Sequence, residues 1–173
     1  MKTAVATELT VFSDDRQIHL LDSGSSAELA DLWSDSALLD YLALADDAIG
    51  ICTGVNGDVI VTIDVTDVAP ADETDAFDTV AECSLRAASG ALRLTSPTYG
   101  EDDGDLVTVP RGWLRLRVSL TRSPDDEEYD EDSDDPADWQ HVRIQCWPAE
   151  PTDAVLVKGW NPETGSSHPV PAN

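Results

Sequence analysis

The sequence predicts a mainly β protein, a sandwich-like single domain with one short helical insert near the N-terminus. At least five segments alternate apolar and polar residues with the period of a strand. Short turn signals such as Asn56-Gly57 and Ser89-Gly90 separate these segments. We therefore expect one domain over residues 1–160, followed by a flexible tail over residues 161–173, which are rich in Pro, Ser and Gly.

The N-terminal elements are predicted to be a β-hairpin and then the helical insert. Residues 8–12 and 17–21 alternate, and residues 13–16 between them have the polar composition of a turn. Ser25 and Glu28 then match a capping box, which favours a helix start. In the next stretch, residues 35–46, the residues that would share one helical face are Leu38, Tyr41, Leu42 and Ala45.

The remaining elements are predicted to be strands with short connections. Asn56-Gly57 is the strongest hairpin signal in the chain. Arg115, Arg117 and Arg143 fall on strands, and we expect them to pair with acidic neighbours across the sheet. Trp147 is expected in the core. The predicted strands cover residues 49–53, 59–65, 79–87, 91–95, 106–109, 113–120 and 139–147.

The charge of the chain is its most informative feature for function. The 35 acidic and 10 basic residues leave a formal net charge of −25, and residues 125–135 hold nine carboxylates in eleven positions. No packed core accommodates that much like charge, so the run belongs in water or against a cationic partner. Such a surface repels nucleic acid and anionic membranes and attracts basic proteins.

The predicted binding residues are the acids of this run, the acids of the connection near residue 103, and two aromatic anchors. A basic protein partner, such as a toxin nuclease, would contact them. They are Asp125, Asp126, Glu127, Glu128, Tyr129, Asp130, Glu131, Asp132, Asp134, Asp135 and Trp139, with Glu101, Asp102, Asp103 and Asp105.

No catalytic, cofactor or metal site is predicted. The cysteines Cys52, Cys83 and Cys146 lack the spacing of a zinc site or a disulfide framework, and the acidic run lacks the glycine turn of a calcium loop. His19 and His141 are read as strand residues. The chain holds no convincing catalytic constellation, so we do not expect an enzyme. The N-terminus has no apolar core of a signal peptide and no stretch is long enough to span a membrane, so a cytoplasmic protein is expected.

A series of short motifs between residues 59 and 151 resembles a group of small uncharacterised bacterial proteins. That group is distantly similar to the competence protein J type of nuclease inhibitor, a small acidic cytosolic protein that blocks a partner nuclease. The resemblance implies no particular functional residues. The motifs are VTIDV at 61–65, VAP at 68–70, FDTVAECSL at 77–85, SGAL at 89–92, VPRGWLRLRV at 109–118 and CWPAEP at 146–151.

These observations favour an acidic protein-binding module, specifically an immunity protein or an inhibitor of a basic toxin such as a nuclease. The acidic run would imitate the polyanion that a nuclease binds, and would thereby be steered into its cationic site. Two alternatives stay open. One is an acidic structural or housekeeping domain whose charge serves solubility or a high-salt host. The other is an enzyme with an unrecognised site.

Overall fold

The chain folds into β-strands that form two sheets. The structure, a computed structural model, describes residues 5–33, 41–97, 104–121, 130, 132–161 and 163–170. Within these residues the helical segments are three single-turn 3-10 helices, at Ala30–Leu32, Thr74–Ala76 and Pro136–Asp138. The strands are β1 (Val5–Ser13), β2 (Gln17–Asp22), β3 (Leu42–Leu44), β4 (Ala48–Cys52), β5 (Gly57–Val65), β6 (Thr79–Ala87), β7 (Ala91–Thr95), β8 (Asp105–Thr108), β9 (Gly112–Leu120), β10 (His141–Pro148), β11 (Val155–Asn161) and β12 (Ser166–Pro169).

The two sheets differ in size and are almost entirely antiparallel. The larger sheet has seven strands in the order β1-β5-β10-β9-β6-β11-β12, and the smaller has five in the order β3-β4-β2-β7-β8. The one parallel pair among the described strands joins β5 to β10, with His141 opposite Ile60. β9 and β10 pair antiparallel, with Val142 opposite Leu120, so the acidic run lies in the connection between two adjacent strands.

Both sheets contribute to one hydrophobic core. The larger sheet supplies fully buried residues such as Val61 and Ile144, and the smaller supplies Leu20 and Ile49. In β5 the residues facing the core alternate with half-buried ones, as the sequence period requires. This arrangement confirms the predicted mainly β class and is that of two sheets packed face to face.

The predicted hairpin turns lead from one sheet to the other. The turn at residues 13–16 joins β1 of the larger sheet to β2 of the smaller, and the turn at Asn56-Gly57 joins β4 to β5 in the reverse direction. The predicted hairpin over residues 8–21 forms only at its turn, where Asp14 and Gln17 exchange two backbone hydrogen bonds, and its two strands then enter different sheets. Local turn chemistry permits a tight reversal, but burial of both apolar faces in one core separates the strands.

The structure does not show the predicted helical insert. The region has a 3-10 turn at Ala30–Leu32, and Leu42–Leu44 form β3, so the predicted helix is wrong at its C-terminal end. Residues 34–40 lie outside the described residues. Trp33 packs instead on the outer face of the smaller sheet, where a Cβ at Gly50 would lie 2.9 Å from its ring. Sheet pairing thus outweighs the helical period of this segment.

The C-terminal region adds strands that the sequence did not predict. Val155–Asn161 form β11 on the free edge of β6, and Ser166–Pro169 form β12 beside it. The division into a domain over residues 1–160 and a flexible tail stays a prediction, and the tail region includes β12.

The outer face of the larger sheet holds paired charges. Glu82 accepts hydrogen bonds from Arg117 at 2.9 Å and from Arg115 at 3.4 Å. Arg143 pairs with Asp64 on the neighbouring strand β5. These contacts confirm the expected cross-strand pairing of the three arginines and engage their guanidinium groups with carboxylates.

Candidate protein-binding surface

Strand register brings the acidic segments to one end of the molecule. In the larger sheet, the end of β1, the start of β5, the end of β9 and the start of β10 lie along one rim. In the smaller sheet, the start of β2, the end of β4, the end of β7 and the start of β8 do the same. The β1–β2 and β4–β5 turns join these two rims. We call this region the acidic end. The described acids at these strand ends and in the connections between them are Asp14, Asp15, Asp58, Asp105, Asp130, Asp132, Asp134, Asp135 and Asp138.

Hydrogen bonds join the β1–β2 turn to the β4–β5 turn at the acidic end. The N–H of Arg16 donates to Asn56 Oδ1 at 2.9 Å, and the N–H of Thr53 donates to the carbonyl oxygen of Arg16 at 2.9 Å. The hydroxyls of Ser13 and Thr53, both buried, are 2.6 Å apart. These contacts hold the end of β1 next to the end of β4 and fix the positions of the two turns relative to each other.

The described part of the β9–β10 connection is ordered by its own short polar side chains. The N–H of Asp132 donates to Asp130 Oδ1 at 3.1 Å, and the N–H of Asp135 donates to Ser133 Oγ at 3.2 Å. Asp135 in turn caps the 3-10 helix Pro136–Asp138, accepting from the N–H of Ala137 at 3.0 Å. Such local bonds replace a regular ladder in a segment too acidic to pack.

Trp139 connects this segment to the sheets. Its indole N–H donates to the carbonyl oxygen of Ser133 at 2.9 Å, and the ring is partly buried. Beside it lies a depression of about 180 Å³. Its lining residues are Phe12, Val55, Gly57, Asp58, Asp132, Ser133, Asp134 and Trp139. The depression therefore combines two aromatic rings with three carboxylates.

The predicted binding residues are only partly described. Asp132, Asp134 and Trp139 meet in the depression, and Asp130 and Asp135 lie in the same connection. Asp105 starts β8 at the edge of the smaller sheet and does not line the depression. The predicted residues outside the described part of the chain are Glu101, Asp102, Asp103, Asp125, Asp126, Glu127, Glu128, Tyr129 and Glu131.

Sequence reasoning missed two exposed residues of this surface. Phe12 is 44% exposed although it is a large aromatic residue on a long strand. Asp58 is exposed at the start of β5. The signal for both was present in the strand alternation, which assigns Phe12 and Asp58 to the face opposite Val11 and Val59.

A second depression, of about 360 Å³, lies beside Cys83 and Ser84 of β6. Its lining includes Asp46, Cys83, Trp113 and Asp153. Burial raises the pKa of the Cys83 thiol to about 12, so this thiol stays protonated at neutral pH. Cys83 is therefore a poor nucleophile.

The described residues contain no candidate metal centre. No group of three or more His, Cys, Asp or Glu side chains within them is arranged to hold an ion.

Burial lowers the pKa of His19, whose Nε2 lies 2.8 Å from Gln17 Oε1. Within the part of the chain that the structure describes, no helix has the length and apolar character needed to cross a bilayer.

Comparison with known proteins identifies two solved structures with this fold. The first is ComJ from Bacillus subtilis, an inhibitor of the DNA-degrading activity of NucA, which aligns with a TM-score of 0.65 at 14% identity over 86% of this chain and 100% of its own. The second is the protein of crocagin biosynthetic gene J, with a TM-score of 0.61 at 18% identity and the same coverage. No protein-family model and no curated protein matches the chain. The likeness confirms the distant resemblance to ComJ and establishes a shared fold.

Proposed function

We propose that this protein is a nuclease inhibitor, acting as an immunity protein against a basic nuclease. The observation that carries the proposal is the fold, which this chain shares with ComJ over the whole length of that inhibitor. The acidic end supports it, because it offers the kind of surface that a phosphate-binding enzyme attracts. On this proposal the protein works by binding and not by catalysis.

The mechanism is electrostatic imitation of the nucleic acid. A nuclease site is cationic because it holds phosphates, and a net charge of −25 steers this protein toward it. Steering of this kind raises association rates by roughly 10- to 1,000-fold at low salt. Phe12 and Trp139 lie beside Asp58, Asp132 and Asp134 in the depression. They supply the apolar contact area that charge alone does not provide.

The test is capture of the nuclease from the host, with activity as the readout. The protein is immobilised, host lysate is applied at low salt, and the eluate is assayed for DNA degradation. We expect the eluate to degrade DNA and fresh protein to inhibit that activity in proportion to its concentration. An eluate without DNA-degrading activity, or an activity that fresh protein leaves unchanged, would contradict the proposal.

A matched pair of triple variants tests the role of the acidic end. One variant combines Asp58→Asn, Asp132→Asn and Asp134→Asn. The control combines Glu28→Gln, Asp31→Asn and Glu150→Gln, three exposed acids away from the acidic end. Both remove three charges, so they differ in location only. We expect the first to slow association with the captured nuclease and to flatten its salt dependence, and the control to behave like the unmodified protein.

A further inference from the structure

β1 is a long strand at the edge of the larger sheet. All nine of its residues pair with β5, from Val5 opposite Val65 to Ser13 opposite Gly57, without a bulge. Among the described strands none pairs with its other side. β1 therefore presents a nine-residue backbone edge to its surroundings.

The register shows which backbone groups point outward. The N–H of Ile60 donates to the carbonyl oxygen of Gln140, so the even-numbered residues of β5 face β10 and the odd-numbered ones face β1. The odd-numbered residues of β1 lie opposite those and use their N–H and C=O groups toward β5. The even-numbered residues Ala6, Glu8, Thr10 and Phe12 consequently direct theirs away from the sheet. No hydrogen bond from the described residues reaches these groups.

An open edge of this kind is unusual, because proteins ordinarily block their sheet edges. The other described edges are short: β3 has three residues, and β8 and β12 have four each. β1 contains no Pro, no Lys and no bulge, and Glu8 is its sole charged residue. Its length and regularity are those of a strand that receives another strand.

We propose that β1 receives an extended basic segment of the protein partner as an additional strand of the larger sheet. Charge selects this occupant. The strand carries Glu8, and its C-terminal end leads to Asp14, Asp15 and Asp58 at the acidic end. A second copy of this chain carries the same net charge of −25 and is repelled as a whole, whereas a basic segment neutralises these carboxylates. The basic character of the partner rests on the proposed function.

The side chains of β1 define what the segment carries. Glu8, Thr10 and Phe12 are exposed on the same face of the strand. The partner segment should carry a Lys or Arg opposite Glu8 and an apolar residue opposite Phe12, because neighbouring strands contact each other through directly opposed side chains. Backbone hydrogen bonds to the even-numbered residues supply the docking geometry, and these side chains select the sequence.

The test uses the capped six-residue peptide Leu-Val-Lys-Val-Lys-Val, in which Leu and the second Lys lie four residues apart on one face and fall opposite Phe12 and Glu8 in antiparallel pairing. Amide hydrogen exchange is then measured in NMR spectra of the protein. At a peptide concentration that saturates the chemical shifts, we expect the amides of Glu8, Thr10 and Phe12 to exchange about tenfold more slowly. The amides of Thr7, Leu9 and Val11 already bond to β5 and should change little. A peptide with Glu in place of Lys should leave all six rates unchanged.

Two controls separate strand addition from attraction by charge. The same Lys peptide with N-methyl groups on alternate amides keeps its charge but cannot form a ladder, and it should give no protection. Thr10→Pro removes an outward N–H without breaking a bond to β5 and should abolish protection, while Thr10→Val should preserve it. If Thr10→Pro fails to fold, the N-methylated peptide decides the question.

Two results would overturn the proposal. The first is binding of the Lys peptide without slower exchange at Glu8, Thr10 and Phe12. The second is protection of these amides in the free protein that increases with protein concentration, together with a doubled mass in sedimentation, which would assign the edge to a second copy. Neither result bears on capture of a nuclease, so failure here is distinguishable from failure of the proposed function.

Discussion

At the residue scale, burial makes two of the three cysteines chemically inert. Cys83 and Cys146 are free thiols in the core. The pKa of each is raised to about 12, by burial in both cases and, for Cys146, also by the nearby Asp64 carboxylate. A thiolate in these positions would lose its hydration, and the Arg115 charge near Cys83 offsets only part of that cost, so the proton is retained. The core therefore contains thiols that neither pair nor react.

These thiols predict a loss of stability in alkali. Their folded pKa exceeds the unfolded value of about 8.5, so between these two values the unfolded chain binds fewer protons than the folded one. The free energy of unfolding should be unaffected by the thiols below pH 8.5 and should fall above it, by about 1.4 kcal/mol per pH unit for each thiol. Urea unfolding at pH 8, 9 and 10 measures this slope.

The double variant Cys83→Ala with Cys146→Ala serves as the control for this slope. It loses stability at every pH because of the cavities, but the fall between pH 9 and pH 10 should be shallower than in the unmodified protein. Equal slopes in the two proteins would show that the thiols do not carry the effect. Lys and Tyr titrate in both proteins alike and cancel in the comparison.

At the element scale, the start of β8 depends on a glycine. Gly104 has φ +130°, and a Cβ at this position would lie 2.4 Å from the carbonyl oxygen of Leu94. Gly112, at the start of β9, has a similar φ of +112° but open space around it. The two positions therefore share the same backbone demand and differ in crowding, which makes them a matched pair.

Gly104→Ala should destabilise the protein more than Gly112→Ala. A non-glycine residue at positive φ costs about 1–3 kcal/mol, and both variants incur this cost. Gly104→Ala adds a backbone clash that only movement of β8 relieves, so its loss should exceed that of Gly112→Ala by at least about 1 kcal/mol. Urea unfolding of the two variants side by side gives the difference. Equal losses would mean that β8 shifts without cost.

At the scale of the whole molecule, charge opposes the fold. The excess of 25 negative charges repels itself, and the register of both sheets gathers many of the acids at one end. Repulsion between exposed charges is screened beyond about 8–10 Å at physiological salt. The folded state should therefore be least stable in dilute buffer.

Added salt should raise the melting temperature, and the acidic run should account for part of the gain. We expect an increase between 0.01 M and 0.5 M sodium chloride, where each 1 kcal/mol corresponds to about 2–4 °C for a chain of this length. Replacing the nine acids of residues 125–135 by Asn and Gln should make that increase smaller. Melting curves across the salt series measure both. A melting temperature independent of salt would contradict the expectation.

The candidate surface shows how far sequence reasoning extends. The carboxylates of the β9–β10 connection were predicted because their density is a local property of the chain. The depression beside Trp139 was not predicted, because Phe12, Asp58 and Asp132 meet there from three distant parts of the sequence. The environment of Arg117 was predicted in part. Its strand was predicted, and its pairing with a cross-strand acid was expected, but Glu82 as the partner follows from the register of β6 and β9.

The sequence by itself determined most of the strands and the charge, since side-chain alternation and acid density are read within a few residues. Only the tertiary structure decided which strands pair and which end of the molecule is acidic. The turns at residues 13–16 and at Asn56-Gly57 look like hairpin turns locally, yet each leads from one sheet to the other. Leu42–Leu44 have a helical period and form a strand. The physical reason is the same in each case: burial of two apolar sheet faces against each other is a non-local gain, and it exceeds the local preference of a turn or a short helix.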